Sequence, residues 1–182
     1  MSLPWRQVGC PDLRAGSLRL VAITAEMLRA DEAREWARVE QMVRAKVTAE
    51  WPPAEWEPHV YQFILKQQET LPETIGYHRY VVLCDGLGIV RTLVGAVGAH
   101  PKGNGEVEIG YSTLPRFQRR GIATAAAKAM VEWLLKREDV TAVVACTFPR
   151  VGESIKVMER CGMSYAGDGD EPGTVMYRKS KR

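Results

Sequence analysis

The feature that most constrains the fold is a change in segment type near residue 77. Before this point the chain is largely helical in pattern, and after it come runs rich in β-branched and aromatic residues, separated by short turns that contain glycine. Such runs predict strands, and turns this short join antiparallel neighbours. The predicted strands of this part are residues 77–86, 88–100 and 105–114. Together they predict an antiparallel meander.

The remaining C-terminal segments alternate between helix and strand. A helix is predicted over 121–137, a strand over 140–147 and a helix over 151–162, followed by strands at about 163–167 and 173–179. Two parallel strands need a crossover connection, which a helix usually provides. The sequence therefore predicts at least one parallel pair within an otherwise antiparallel sheet.

The N-terminal part predicts one strand and two helices. The strand covers 17–24, and a helix with an apolar stripe runs from Ala25 to about Lys46. Consecutive prolines in the segment 51–58 end that helix, and a second helix is predicted over 59–71. We expect an α+β fold with a mixed, mostly antiparallel sheet of six to seven strands and about four helices. A chain of 182 residues with 46% hydrophobic residues predicts a single domain over 1–182.

Charge and cysteine usage argue against several function classes. The net charge of +3 is local, because four of the positive residues lie in the last five, "RKSKR", so a nucleic-acid partner is not expected. No apolar stretch approaches about 20 residues, and the N-terminus lacks the pattern of a signal peptide. We expect no membrane partner and a cytoplasmic location. No C-x-x-C pair or cysteine–histidine cluster occurs, which predicts reduced thiols and no metal site; the cysteines are Cys10, Cys84, Cys146 and Cys161.

A basic turn leads into the alanine-rich helix, in the segment "PRFQRRGIATAAAKAM" (115–130). A helix N-terminus exposes unpaired N–H groups and a partial positive charge, so adjacent arginines are favourable where an anion binds. Gly121 and Ala123 keep the surface low, and Thr124 offers a hydroxyl. The composition fits an anion site and a plain basic turn equally well. The chain lacks the motif G-x-x-x-x-G-K-[ST] and an early G-x-G-x-x-G. Their absence argues against the phosphate-binding loop of a nucleoside triphosphatase and against a dinucleotide-binding fold.

The segment "VEIGYSTLPRFQRRGIATAAAKAMVEWLL" resembles motif A of the GCN5-related N-acetyltransferase (GNAT) superfamily. The signature Q/R-x-x-G-x-G/A is read here as Gln118 through Ala123. The "EIGY" that precedes it and the later "SIKVMERCGM" are most similar to the branch that contains the ribosomal-protein N-terminal acetyltransferases. The resemblance covers roughly residues 76–179, and the first 75 residues match mainly in the order of their elements.

The resemblance implies acetyl-coenzyme A as co-substrate, an amine as acceptor and no metal. It places the pyrophosphate on the main chain of the basic turn and the pantetheine along the end of the 105–114 strand. In the family this strand and the 140–147 strand are parallel neighbours that splay apart, and the thioester enters the gap. The implied coenzyme-binding residues are Ser112, Thr113, Leu114, Arg119, Arg120, Gly121, Ile122, Ala123 and Thr124.

The same resemblance suggests two catalytic residues. Glu108 matches the acidic position of "EIGY" and is the candidate base that takes the ammonium proton. Glu106 lies on the same strand face and is an alternative acidic residue near the substrate, while two solvated carboxylates are the simpler interpretation. Ser154 matches a serine near the coenzyme sulfur, a candidate proton donor to the leaving thiolate. A serine in the first helical turn also satisfies backbone groups without any catalytic role.

Two positions depart from the family pattern. Val151 stands where an asparagine often contacts the pantetheine, and Met158 stands where many members carry a tyrosine as general acid. Both belong to the implied coenzyme site. These departures keep open an alternative function, a catalytically inactive coenzyme A-binding sensor or interaction module. Homodimers are common in the superfamily, so a homodimer is also considered.

The acceptor is not selected by any motif: a protein N-terminus, an amino acid, a polyamine and an aminoglycoside-like amine all remain open. Trp51 and Trp56 either line the acceptor site or pack the connection between two helices. The three histidines are scattered, which favours exposed or hydrogen-bonded side chains over catalytic ones; they are His59, His78 and His100.

Overall fold

The structure is a computed structural model, and it describes residues 10–181. Eight strands form one sheet in the order β1-β2-β3-β4-β5-β6-β8-β7. The strands are β1 (Leu13–Ala15), β2 (Leu18–Ala22), β3 (Arg79–Cys84), β4 (Arg91–Gly103), β5 (Glu106–Thr113), β6 (Ala142–Thr147), β7 (Ser164–Asp168) and β8 (Val175–Ser180). The α-helices of this part are α1 (Ala25–Glu32), α2 (Trp36–Val43), α3 (Pro58–Thr70), α4 (Ile122–Leu135) and α5 (Gly152–Arg160).

The expected α+β class and sheet type are confirmed. Every neighbouring pair is antiparallel except β5 and β6, which are parallel and joined by the crossover helix α4. The sheet has one strand more than the upper expectation. The additional strand is β1, three residues that pair with β2 across a turn at Gly16, where φ is +58°. A strand this short carries too little alternation to be recognised in the sequence.

The predicted helix over 25–46 is wrong in one respect, because it is two helices. Arg34 adopts a left-handed conformation with φ of 58°, which separates α1 from α2. Side-chain periodicity runs through this point without a glycine or proline to mark the break. The helix count is therefore five among residues 10–181, against about four expected.

The sheet lies between two hydrophobic cores. Alternate strand residues such as Val81 and Val82 point to opposite faces, and each face is covered by helices. On one face α4 and α5 bury residues such as Met130 and Leu134. On the other, α1, α2 and α3 bury residues such as Leu28. Because both faces of the central strands are covered, access to the sheet is left where two strands part.

Candidate active site

A gap opens between β5 and β6. Their parallel pairing covers three positions and ends at Glu108 and Val144, although β5 continues to Thr113 and β6 to Thr147. β5 stays paired with β4 through Thr113. The edge of β5 that faces β6 therefore lacks a strand partner over 109–113 in the described structure, and its main-chain groups are available to a ligand. This agrees with the splayed parallel strands that the family resemblance implies.

A cleft of about 360 Å³ lies at this gap. Its volume falls within the range of about 300–1,000 Å³ that is typical of small-molecule sites. We call this space the cleft; it is lined by β4, β5, α3 and the segment before α3, with Cys146 from β6. A second space of about 450 Å³, the side recess, shares His100, Glu108 and Cys146 with the cleft and continues to Asp170 and Glu171. Glu108 thus lies where the two spaces meet.

The Glu108 carboxylate lies between basic side chains and the cleft. Its side chain is 19% exposed, and Oε2 lies 3.1 Å from Lys102 Nζ and 3.7 Å from His100 Nε2. Lys102 also contacts the carboxylate of Asp170. Burial opposes the charge of Lys102, but the carboxylates of Asp170 and Glu108 raise its pKa above the usual value. Lys102 is therefore a permanent cation that holds Glu108 in place and leaves the carboxylate open to the cleft.

The Cys146 thiol beside Glu108 stays protonated at neutral pH. Burial of Cys146, together with the negative charge of Glu108, raises the pKa of the thiol to about 11. A thiolate is the nucleophilic form of cysteine, so Cys146 is unsuited to nucleophilic catalysis near neutral pH.

Glu106, the alternative acidic residue, lies outside both spaces. Its Oε1 accepts a hydrogen bond of 2.8 Å from Arg178 Nε on β8. This ion pair occupies the carboxylate at the closed end of the β5–β6 pair. The geometry therefore distinguishes Glu108 from Glu106, which the two-residue alternation in the sequence does not.

A buried histidine forms part of the cleft wall. His78 Nε2 lies 3.3 Å from Gln67 Oε1, and Gln67 donates from Nε2 to the carbonyl of Ala99. Burial, with a further contribution from His100, lowers the pKa of His78 to about 4. The ring packs over Gly98, where a Cβ atom would lie 2.6 Å from His78 Nδ1. His78 is thus a neutral, hydrogen-bonded residue at pH 7.

Ser154 is hydrogen-bonded to a tyrosine that the sequence did not single out. The Tyr111 hydroxyl lies 3.0 Å from Ser154 Oγ and donates to the Ser154 carbonyl oxygen at 3.1 Å. Burial raises the pKa of Tyr111 to about 12, so its hydroxyl keeps its proton. Tyr111 also lines the cleft. The tyrosine of "EIGY" was the available signal, but its contact with α5 spans 43 residues and depends on the tertiary fold.

The basic turn places exposed arginines at an uncapped helix N-terminus. Arg119 and Gly121 have φ values of 57° and 76°, and no side chain caps α4. The first-turn N–H groups of α4, at residues 122–124, make no backbone hydrogen bond in the described structure. Arg119 and Arg120 are exposed, and the Arg120 guanidinium lies 5.7 Å from the centroid of the Phe117 ring. Donors and cations are thus available together at one surface.

The other residues expected to bind the coenzyme differ in how exposed they are. Ser112 lines the cleft, while Leu114 is fully buried and its N–H donates to the carbonyl of Val94. The Thr113 carbonyl accepts from Gln118 Nε2 at 2.9 Å. Val151 is exposed at the start of α5, and Met158 is 2% exposed within the core under α4 and α5.

The side chains of Trp51 and Trp56 lie in different environments. Trp51 is 5% exposed and donates from Nε1 to Asp31 Oδ1 at 2.8 Å, so it packs the connection between helices. Trp56 packs edge-to-face against Tyr61 at 5.3 Å and also lines the cleft. Trp51 therefore fits the packing interpretation, while Trp56 both packs and lines the cleft.

Within residues 10–181, no three side chains of His, Cys, Asp or Glu are grouped closely enough to hold a metal ion. In that same part of the chain no helix combines the length and the apolar character needed to cross a membrane.

Comparison with known proteins decides the family. Residues 18–164 match the family model described as the acetyltransferase (GNAT) domain. The chain belongs to the GNAT acetyltransferase family. The turn with Arg119 and Gly121 and the gap between β5 and β6 both lie in the matched region.

One curated relative is the uncharacterized N-acetyltransferase YjdG of Bacillus subtilis (strain 168). It is 27% identical over 156 residues, covering 82% of this chain and 88% of YjdG. A crystal structure of an acetyltransferase from Agrobacterium tumefaciens str. C58 is similar with a TM-score of 0.63 and 22% identity, covering 93% of this chain and 94% of that one. The ribosomal L7/L12 α-N-protein acetyltransferase RimL, in complex with coenzyme A, is similar with a TM-score of 0.60 and 18% identity, covering 93% and 97%. The resemblance to the ribosomal-protein acetyltransferase branch is confirmed at the level of fold.

Proposed function

We propose that this GNAT protein transfers an acetyl group from acetyl-coenzyme A to a primary amine by direct attack. One observation carries the proposal: the Glu108 carboxylate borders the cleft at the point where β5 and β6 part. An acyl transfer of this kind needs the two reactants held close, a group that takes a proton and a place for the leaving thiolate. The described residues around the gap offer each of these.

The basic turn fits the diphosphate of the coenzyme. The N–H groups at 122–124 and the positive end of the α4 dipole favour an anion, and Arg119 and Arg120 add charge. Gly121 has open space where a Cβ would stand, so nothing holds an approaching phosphate off the main chain. The pantetheine then lies along the unpaired edge of β5 at Ser112 and Thr113, with the thioester in the cleft.

The acceptor nitrogen loses two protons during the reaction, and the leaving thiolate gains one. The acceptor enters as an ammonium ion, and Glu108 takes its proton directly or through one water. The free amine attacks the thioester carbonyl carbon; a C–N bond forms, the C–S bond breaks, and the sulfur leaves as a thiolate. Ser154, hydrogen-bonded to Tyr111, is the proposed donor of the proton that the thiolate takes up, and it regains a proton from the attacking nitrogen, which loses its second proton as the amide forms. The Glu108 proton passes to solvent through the open side of the cleft.

The wider predictions from the sequence remain proposals. These are a single domain over 1–182, a cytoplasmic location and a homodimer. The family membership supports each of them only by analogy.

An acceptor screen with thiol detection tests the proposal against the inactive-module alternative. The protein is incubated with acetyl-coenzyme A and a broad panel of primary amines, and free thiol is measured against controls without amine and without protein. The proposal predicts amine-dependent thiol release that matches the acetylated product mole for mole. Coenzyme binding without thiol release for any amine would instead support the sensor or interaction module.

A further inference from the structure

One side of the cleft is apolar and aromatic. The residues that line it from α3 and the preceding segments are Ile23, Trp56, Val60, Phe63 and Ile64. Phe63 is 49% exposed, which is unusual for a large apolar side chain. Its ring lies edge-to-face against His100 at 5.8 Å and His78 at 6.4 Å, so it borders the cleft. An exposed aromatic ring at a concave site is suited to cover an apolar group of a ligand.

The charges of the cleft and the side recess are carboxylates. Glu55 and Glu108 line the cleft, and Asp170 and Glu171 line the side recess. No lysine or arginine from residues 10–181 lines either space. The nearby basic side chains already face carboxylates: Lys102 lies between Glu108 and Asp170, and His100, which lines both spaces, lies 3.7 Å from Glu108. The cleft therefore attracts a cation and repels a second carboxylate, which would find no counter-charge there.

We propose that the acceptor is a primary amine with an apolar or aromatic group beside the amine and without a carboxylate at that end. The terminal residue of a peptide and an arylalkylamine share this chemistry, while free amino acids and polyamines lack it. The inference rests on the proposed acetyl transfer. Phe63 is its specificity-determining residue, since its ring covers the apolar group while Glu108 faces the amine.

Two matched pairs of amines test this substrate class by the specificity constant, kcat/KM. Phenylalaninamide and alaninamide present the same α-amine and differ in the side chain; the ratio of kcat/KM is expected to favour phenylalaninamide by roughly 10- to 100-fold. Phenethylamine and phenylalanine differ by the carboxylate; phenylalanine is expected to be poorer on the order of tenfold or more. Phenylalaninamide mimics a peptide terminus and phenethylamine is a small amine, so the one with the higher kcat/KM indicates which source the acceptor comes from.

The variant Phe63→Ala locates the selectivity. It is expected to reduce the phenylalaninamide-to-alaninamide ratio by about tenfold, because the ring no longer covers the side chain. Leu87→Ala is the matched control: Leu87 is 82% exposed and lies in the β3–β4 turn, outside the cleft. The control is expected to keep the wild-type ratio. Thermal melting of both variants confirms that they are folded.

Three results would overturn the inference. They are a phenylalaninamide-to-alaninamide ratio of kcat/KM near one, equal kcat/KM values for phenylalanine and phenethylamine, or the same phenylalaninamide-to-alaninamide ratio in Phe63→Ala as in Leu87→Ala. Calorimetric titration of phenethylamine and phenylalanine into the protein with coenzyme A provides a second readout. Selective phenethylamine binding without thiol release would support the selectivity assigned to the cleft and remove the proposed catalysis. Turnover without selectivity would do the reverse.

Discussion

Acidification is expected to destabilise this protein through His78. The imidazole is buried against Gly98 and Gln67, and burial lowers its pKa from 6.5 to about 4. The unfolded chain takes up a proton at this residue near pH 6.5, whereas the folded chain resists protonation until about pH 4. Folding stability from this group is therefore complete above pH 6.5 and is lost as pH falls through that window. The full difference corresponds to about 3 kcal/mol of unfolding free energy.

The assay is urea unfolding of the wild type and His78→Gln at several pH values between 7.5 and 4. Glutamine cannot titrate, so the variant is expected to lose less stability on acidification, by up to about 1.4 kcal/mol per pH unit inside the window. His59→Gln is the control, since the His59 side chain is 74% exposed. Parallel stability–pH curves for the wild type and His78→Gln would refute the reasoning. A shift of equal size in His59→Gln would refute it as well.

Two glycine substitutions are expected to have different effects. Gly98→Ala places a Cβ 2.6 Å from His78 Nδ1, so it is expected to lower the unfolding free energy by about 1–3 kcal/mol in urea titrations. Its cross-strand partner Gly110 has open space, and Gly110→Ala is expected to cost less; equal costs would contradict the steric explanation. Gly121→Ala forces a left-handed residue at the basic turn, with a cost of about 1–2 kcal/mol and weaker coenzyme binding by calorimetry. Gly86→Ala, which has open space and no positive φ, is its control and is expected to leave coenzyme affinity unchanged.

The mixed sheet and its single parallel pair could be predicted because they depend on local pattern and connection length. The division of α1 from α2 at Arg34 could not, since nothing in the residue periodicity marks a left-handed residue there. β1 is too short to show alternation and exists through its pairing with β2. In these cases tertiary context decides what the local sequence leaves open.

The candidate site divides in the same way. The basic turn is a contiguous motif and could be found in the sequence. The distinction between Glu108 and Glu106 depends on the ion pair of Glu106 with Arg178. Arg178 is 72 residues from Glu106 in the chain and adjacent to it in space. The Tyr111–Ser154 hydrogen bond and the cleft-facing Phe63 likewise join distant segments. Long-range contacts therefore supply most of what distinguishes the roles of individual residues.

The central claim is that Glu108 is the base for acetyl transfer. Its most direct test is kcat/KM of Glu108→Gln with the best amine of the screen, measured by thiol release across pH. The account predicts a loss of roughly 10²–10⁴-fold at neutral pH, with coenzyme affinity retained. Glu106→Gln, whose carboxylate is paired with Arg178 outside the cleft, is predicted to keep near wild-type activity. Unchanged turnover in Glu108→Gln, or an equal loss in Glu106→Gln, would contradict the account.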